Sequence, residues 1–126
     1  MSQDYIPGTC NIGPAEIKQR QLFAIAGLII TGISLFYLIT SDSDRSERLV
    51  LFVPLIFFAV GFVQSRKKFC LAFGFLGTFN FGQLGQVAKV ADPIAKKADR
   101  KTALIILLQS ISLAVALTLA IYLLPF

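Results

Sequence analysis

Apolar positions gather into three long blocks, residues 21–40, 49–64 and 103–124, and the charged positions lie between the blocks. A soluble amphipathic helix or a half-buried strand would need polar and apolar positions to alternate at short period. Blocks of this length instead match the roughly 20 apolar residues that carry a helix across a bilayer. The pattern predicts an all-α membrane protein: a polar tail over residues 1–13, then one domain of three transmembrane helices over 14–126. Pro7-Gly8 and Gly13-Pro14 make the tail turn-rich. Pro14 can open the first helix because its missing N–H would have no partner there, and Glu16 suits the positive helix start. The second block is slightly short for a crossing, a deficit that Arg66, Lys67 and Lys68 can relieve by snorkelling. Asp92-Pro93 supplies an N-cap and a first-turn proline, so a helix is expected to emerge over 92–102 and continue into the third span.

Charge sets the expected sidedness. Ten Lys and Arg residues flank the N-terminal segment and the stretch between the second and third spans, against Arg45 and Arg48 in the 41–48 turn. By the positive-inside rule the N-terminus is cytoplasmic and the C-terminus external, most simply in a bacterial inner membrane. The basic block over 89–101 lacks interleaved aromatics and any base-reading motif. It is therefore assigned to anionic lipid headgroups and not to nucleic acid.

Between the second and third spans lies a stretch too glycine-rich for a stable helix and too phenylalanine-rich for a solvated loop, residues 66–82. Open backbone is excluded from lipid. The expectation is an interfacial helix over 67–76, with Phe69, Phe73 and Leu76 dipping into the bilayer, followed by a Gly/Phe turn. Gly74-Phe75-Leu76-Gly77 is no phosphate loop, since no Lys-Ser or Lys-Thr pair follows it.

Little chemistry is available inside the spans. They hold no charged residue, which disfavours proton- or ion-coupled transport. Histidine is absent and only two cysteines occur, so no metal site or cofactor is expected. Ala24, Gly27, Thr31 and Ser34 share one face of the first span, a small-residue stripe suited to helix packing. Gln109 and Ser112 are polar positions of the third span, suited to an interhelical hydrogen bond or the lining of an oligomeric pore. Cys10 precedes a helix start and Cys70 follows Arg66-Lys67-Lys68, surroundings that favour a thiolate, so both are candidate reactive thiols.

Asn11-Ile12-Gly13, Glu16-Ile17 and Arg20, then an apolar hairpin, then Phe69-Cys70 and Phe73-Gly74 together resemble a small two-helix bacterial membrane domain found alone or fused to rhodanese sulfurtransferase domains. The resemblance covers residues 10–82. It departs at Leu71, where that family commonly has proline, at the basic triplet, and at the third span. It implies a link to sulfane sulfur or thiocyanate handling and makes Cys70 the position of interest. Three functions are therefore expected in order: a non-enzymatic accessory or structural subunit of an oligomer or larger membrane complex; thiol-dependent sulfur or redox handling through Cys70; and passive conduction of small solutes by an oligomer.

Overall fold

The computed structural model describes residues 5–125; residues 1–4 of the expected tail, and residue 126, lie outside the described residues. The order is α1 (Pro14–Thr40), a 3-10 helix (Arg45–Leu51), α2 (Phe52–Lys67), α3 (Leu71–Leu76), β1 (Thr78–Phe79), β2 (Ala88–Lys89) and α4 (Pro93–Tyr122). Three helical stretches are long and apolar enough to cross a membrane: Pro14–Thr40, Arg45–Lys67 and Pro93–Tyr122. The second is longer than its apolar block suggested, because the 3-10 helix extends α2. The polar 41–48 turn starts that extension, with the Asp44 and Glu47 side chains each engaging the other's backbone N–H in a capping box.

The helices stand in a row. α2 packs against α1 on one side and α4 on the other, and among the described residues α1 and α4 share no comparable contact. Small residues set both junctions. A Cβ at Gly27 would lie 2.7 Å from the Phe58 nitrogen and 2.8 Å from the Pro54 oxygen, and one at Gly61 would lie 2.7 Å from the Arg20 oxygen. Backbone therefore meets backbone between α1 and α2, the approach that small residues permit in lipid. Ala24 and Thr31 are buried at the same junction, and Ser34 is half-buried. On α4 the buried positions Ala95, Asp99, Ala103, Ile106, Ser110, Ala114 and Thr118 recur every three or four residues and form the opposing face.

At the end away from the basic clusters, Arg48 is buried and its Nη1 donates to the carbonyls of Ile121 at 3.0 Å and Leu124 at 2.7 Å. It adds a charged donor at the carbonyl end of α4, where backbone oxygens outnumber the N–H groups left to pair with them. The two arginines of the 41–48 turn are thus structural, Arg45 also reaching the Leu124 oxygen.

The segment after α2 departs from expectation. No helix runs through 67–76: Lys68 turns into the left-handed region at φ 55° and ends α2, and Gly77 at φ 72° ends the six-residue α3. Phe69, expected to enter lipid, is fully buried with Val63, Ala103 and Ile106, whereas Leu76 is exposed. β1 and β2 pair antiparallel, Thr78 opposite Lys89 and Phe79 opposite Ala88.

Two glycines, Gly61 of α2 and Gly32 of α1, give an internal contrast. Gly61→Ala forces the helices apart and should lower stability by about 1–3 kcal/mol, whereas Gly32→Ala, with nothing within 4 Å of the added carbon, should be neutral or stabilising through helix propensity. Thermal unfolding of both variants in one detergent reads the difference; equal melting temperatures would refute the close-packed junction.

Candidate functional site: a thiol held by an asparagine and an arginine

Residues 10–13 run along the basic end of the bundle between two loops. On one side the Asn11 N–H donates to the Lys68 carbonyl at 3.2 Å, and its side-chain amide pairs with the Cys70 backbone in both directions. The Cys70 N–H donates to Oδ1 at 2.7 Å and Nδ2 donates to the Cys70 oxygen at 3.2 Å. On the other side the Asn80 N–H donates to the Asn11 oxygen at 2.9 Å and the Gly13 N–H to the Asn80 oxygen at 2.8 Å. Gly13 is required there, because a Cβ would fall 2.9 Å from the Phe81 backbone. Asn11, Gly13, Cys70 and Asn80 are all buried, Asn11 completely. Loss of the Asn11 amide would leave a buried N–H without a partner, at a cost of about 1–3 kcal/mol.

Asn11 explains why the chain breaks between α2 and α3. Its Oδ1 takes the Cys70 N–H that a continuous helix would use, while the Cys70 carbonyl still accepts from the Gly74 N–H at 2.9 Å to start α3, and Gln64 Oε1 accepts from the Leu71 N–H at 2.8 Å. Cys70 is left extended as the N-cap of α3. Gly74 lets this short helix settle on α4, since a Cβ there would meet the Phe69 ring at 2.7 Å and the Asp99 carbonyl at 2.9 Å.

With its backbone fixed, Cys70 presents its sulfur to α1. Arg20 Nη2 donates to Cys70 Sγ at 3.0 Å. Arg20 is positioned in turn: Nη1 donates to Glu16 Oε1 and to Gln19 Oε1, and the guanidinium lies 5.8 Å from the centre of the Phe73 ring. Glu16, buried in the first turn of α1, accepts from Asn80 Nδ2 at 2.9 Å through its other oxygen. Asn80 also donates to the Gln83 carbonyl and accepts from the Gly82 N–H. The chain of contacts Asn80, Glu16, Arg20, Cys70 and Asn11 closes on itself through the Asn11 and Asn80 backbones. Cys70, itself only 2% exposed, is one of the residues that line a cleft of about 320 Å³, with Arg20, Gln19, Gln64, Phe23, Val60 and Leu71.

A second set of contacts ties down the residues before this site. Asp99, fully buried near the start of α4, accepts from the Tyr5 hydroxyl and, at 2.7 Å, from the Gly8 N–H, and Thr102 Oγ1 donates to the Gly8 carbonyl at 2.6 Å. Gly8 takes φ 71° in this turn and Tyr5 stacks on Phe79. Burial first, then the hydrogen bond to Asp99 and the charges of Asp99 and Asp92, raise the Tyr5 hydroxyl well above its usual pKa.

The sequence-predicted site residues are dispersed relative to this centre. Cys10 is half-buried, with Sγ 3.7 Å from the Ile12 oxygen, and among the described residues neither cysteine is in a disulfide. The cation recorded at Cys70 is Arg20 and not the adjacent triplet; Arg66 instead lies over Phe62, 5.8 Å from the ring centre, and Lys67 and Lys68 are exposed. Gln109 and Ser112 are exposed on α4. Among the described residues no group of three or more His, Cys, Asp or Glu could hold a metal. Reading by composition missed Asn80, Gln64 and Asp99. Of the residues that carry the resemblance, Asn11, Gly13, Glu16, Arg20 and Cys70 join this network, whereas Phe69 and Gly74 pack toward α4. No family model matches the chain, and no curated protein or solved structure matches it either.

Tyr5 supplies a pH test of the contacts that tie the N-terminal residues to α4. A hydroxyl whose pKa is raised on folding contributes stability that is fully present below about pH 10, its unfolded value, and is lost as the pH climbs toward the folded value. Proteolysis of the N-terminal segment should accelerate above about pH 10 in the wild type and show no such step in Tyr5→Phe; identical pH profiles would exclude the Tyr5–Asp99 contact as the cause.

Proposed function

We propose that the chain is an integral membrane protein of the bacterial inner membrane, with its basic end in the cytoplasm, and that Cys70 is a sulfur-handling thiol at that face. The observation that carries this reading is the Arg20 Nη2 to Cys70 Sγ contact of 3.0 Å in the wall of a cleft. A purely structural cysteine needs no guanidinium, and buried thiols that only pack are inert. The chemistry that fits is attack of the Cys70 thiolate on the outer sulfur of a persulfide, R–S–SH. The bond from that sulfur to R–S breaks with its electron pair, R–S⁻ leaves, and Cys70 becomes a persulfide with no net oxidation. Arg20 stabilises negative charge on the attacking sulfur, and the Asn11 clamp holds Cys70 in place beside the cleft. No cofactor takes part.

A second reading, the accessory subunit, has a specific support of its own. Ala24, Gly27 and Thr31 face α2 within the chain and offer nothing to a partner. Ser112, Ala116 and Ala120, however, lie at four-residue spacing on the exposed side of α4, the geometry by which small residues admit a second helix. Chain mass in mild detergent that stays at one copy, unaltered by Ala116→Leu, would remove this reading.

The thiol reading is tested by exposing the detergent-solubilised protein to a small alkyl persulfide and following sulfur addition by mass. Cys70 should gain one sulfur, Cys70→Ser should not, and Arg20→Gln should slow the gain about tenfold or more, the worth of a hydrogen bond to a charged group. Arg20→Lys should restore part of the rate. Addition at Cys10 alone, or at Cys70 with an unchanged rate in Arg20→Gln, would reject it.

A further inference from the structure

A groove between α2 and α4 has the chemistry of a phospholipid site. It measures about 320 Å³ and is lined by Phe62, Val63, Arg66, Lys67, Gln109 and Leu113, at the lower end of the size range of small-molecule sites. Its polar and apolar parts are segregated along its length. Arg66 and Lys67 close the last turn of α2 at the basic end of the bundle, while Phe62, Val63 and Leu113 line the part nearer the middle of the helices. Neither cation has an acidic partner among the described residues, the one ion pair there being Arg20 with Glu16. Arg66 is held at the groove mouth by its position over the Phe62 ring.

Gln109 makes the groove more than a basic rim. It lies six residues past Ala103, where α4 turns apolar, so about 9 Å into the apolar part of the helix at 1.5 Å per residue. Its side chain is exposed and has no hydrogen-bond partner among the described residues. An amide facing hydrocarbon without a partner is costly. A glycerophospholipid would offer one, because its ester carbonyls lie just below the phosphate.

We infer that this groove binds one anionic glycerophospholipid, its headgroup phosphate on Arg66 and Lys67, an ester carbonyl accepting from the Gln109 amide, and the upper part of an acyl chain along Phe62, Val63 and Leu113. Anionic lipid is favoured over zwitterionic lipid because two unpaired cations stand at the mouth and a choline ammonium would be repelled by them. The site depends on the membrane reading of the helices and not on Cys70.

Native mass spectrometry of the protein released from bilayers of equal phosphatidylglycerol and phosphatidylcholine tests the assignment. The wild type should retain one phosphatidylglycerol in preference to phosphatidylcholine, Cys70→Ser should behave identically, and each of R66Q and K67Q should lower the preference about fivefold, as expected near 1 kcal/mol per charge at a bilayer surface. Q109L should reduce retention of both lipids. The exposed pair K97Q and K101Q, at the same end but outside the groove, should leave the preference intact. Equal retention of the two lipids by the wild type overturns the proposal without recourse to any variant. So does a preference lost as readily in K97Q and K101Q as in R66Q and K67Q, which would mark general surface charge, or a groove occupied by a second copy of the chain that excludes lipid.

Discussion

The paired hydrogen bonds between the Asn11 side chain and the Cys70 backbone are the constraint on which the basic end of this protein depends. A primary amide carries a donor and an acceptor spaced like those of a peptide, so Asn11 can act as a one-residue strand against an extended Cys70 while its own backbone pairs with Asn80 on the other side. One residue therefore joins the start of α1, the α2–α3 break and the turn after β1. The break is what turns Cys70 toward Arg20, and the same break drives Phe69 into the core against α4. Position of the thiol and closure of the bundle end are consequences of a single amide.

The polar groups are distributed as low-dielectric surroundings require. Glu16, Asn11, Asn80 and Asp99 are all buried near the ends of apolar helices, and each is satisfied by at least two hydrogen bonds. A buried network of this kind rigidifies when it is complete. Ser110, in the apolar middle of α4, is the buried side chain left without a partner among the described residues. The contrast places the specific interactions at the ends and leaves close packing to hold the middle.

The hydropathy blocks were sufficient to read three membrane-length helices, and the proline and capping signals at Pro14 and Asp92 coincide with the observed helix starts, Asp92 accepting from the Ile94 N–H. The stretch over 66–82 was not legible. Its phenylalanines and glycines look interfacial by composition, but their placement is decided by Asn11, 59 residues from Cys70 in sequence. Local propensity carries no information about a partner at that separation. The contact of Arg20 with Cys70 was likewise hidden, since Lys and Arg near a span count first as topological charges and its spacing from Glu16, one helical turn, points only to that pair. Asp99 sat unremarked among four cations although it is the buried acceptor for the N-terminal residues.

Among the described residues only α2 and the 3-10 helix that leads into it touch both outer helices, so the row by itself has two free edges. The N-terminal residues change that connectivity. They leave α1, cross beneath α2 and anchor on Asp99 and Thr102 of α4, so the path from α1 through α2 and α4 returns to α1. The basic end is thus a closed loop, while at the opposite end the 3-10 helix touches both α1 and α4 and Arg48 pins it to the end of α4. A pull between α1 and α4 at the basic end therefore runs against two separate routes, the helix packing through α2 and the N-terminal residues hydrogen-bonded to Asp99 and Thr102, and Cys70 sits between them.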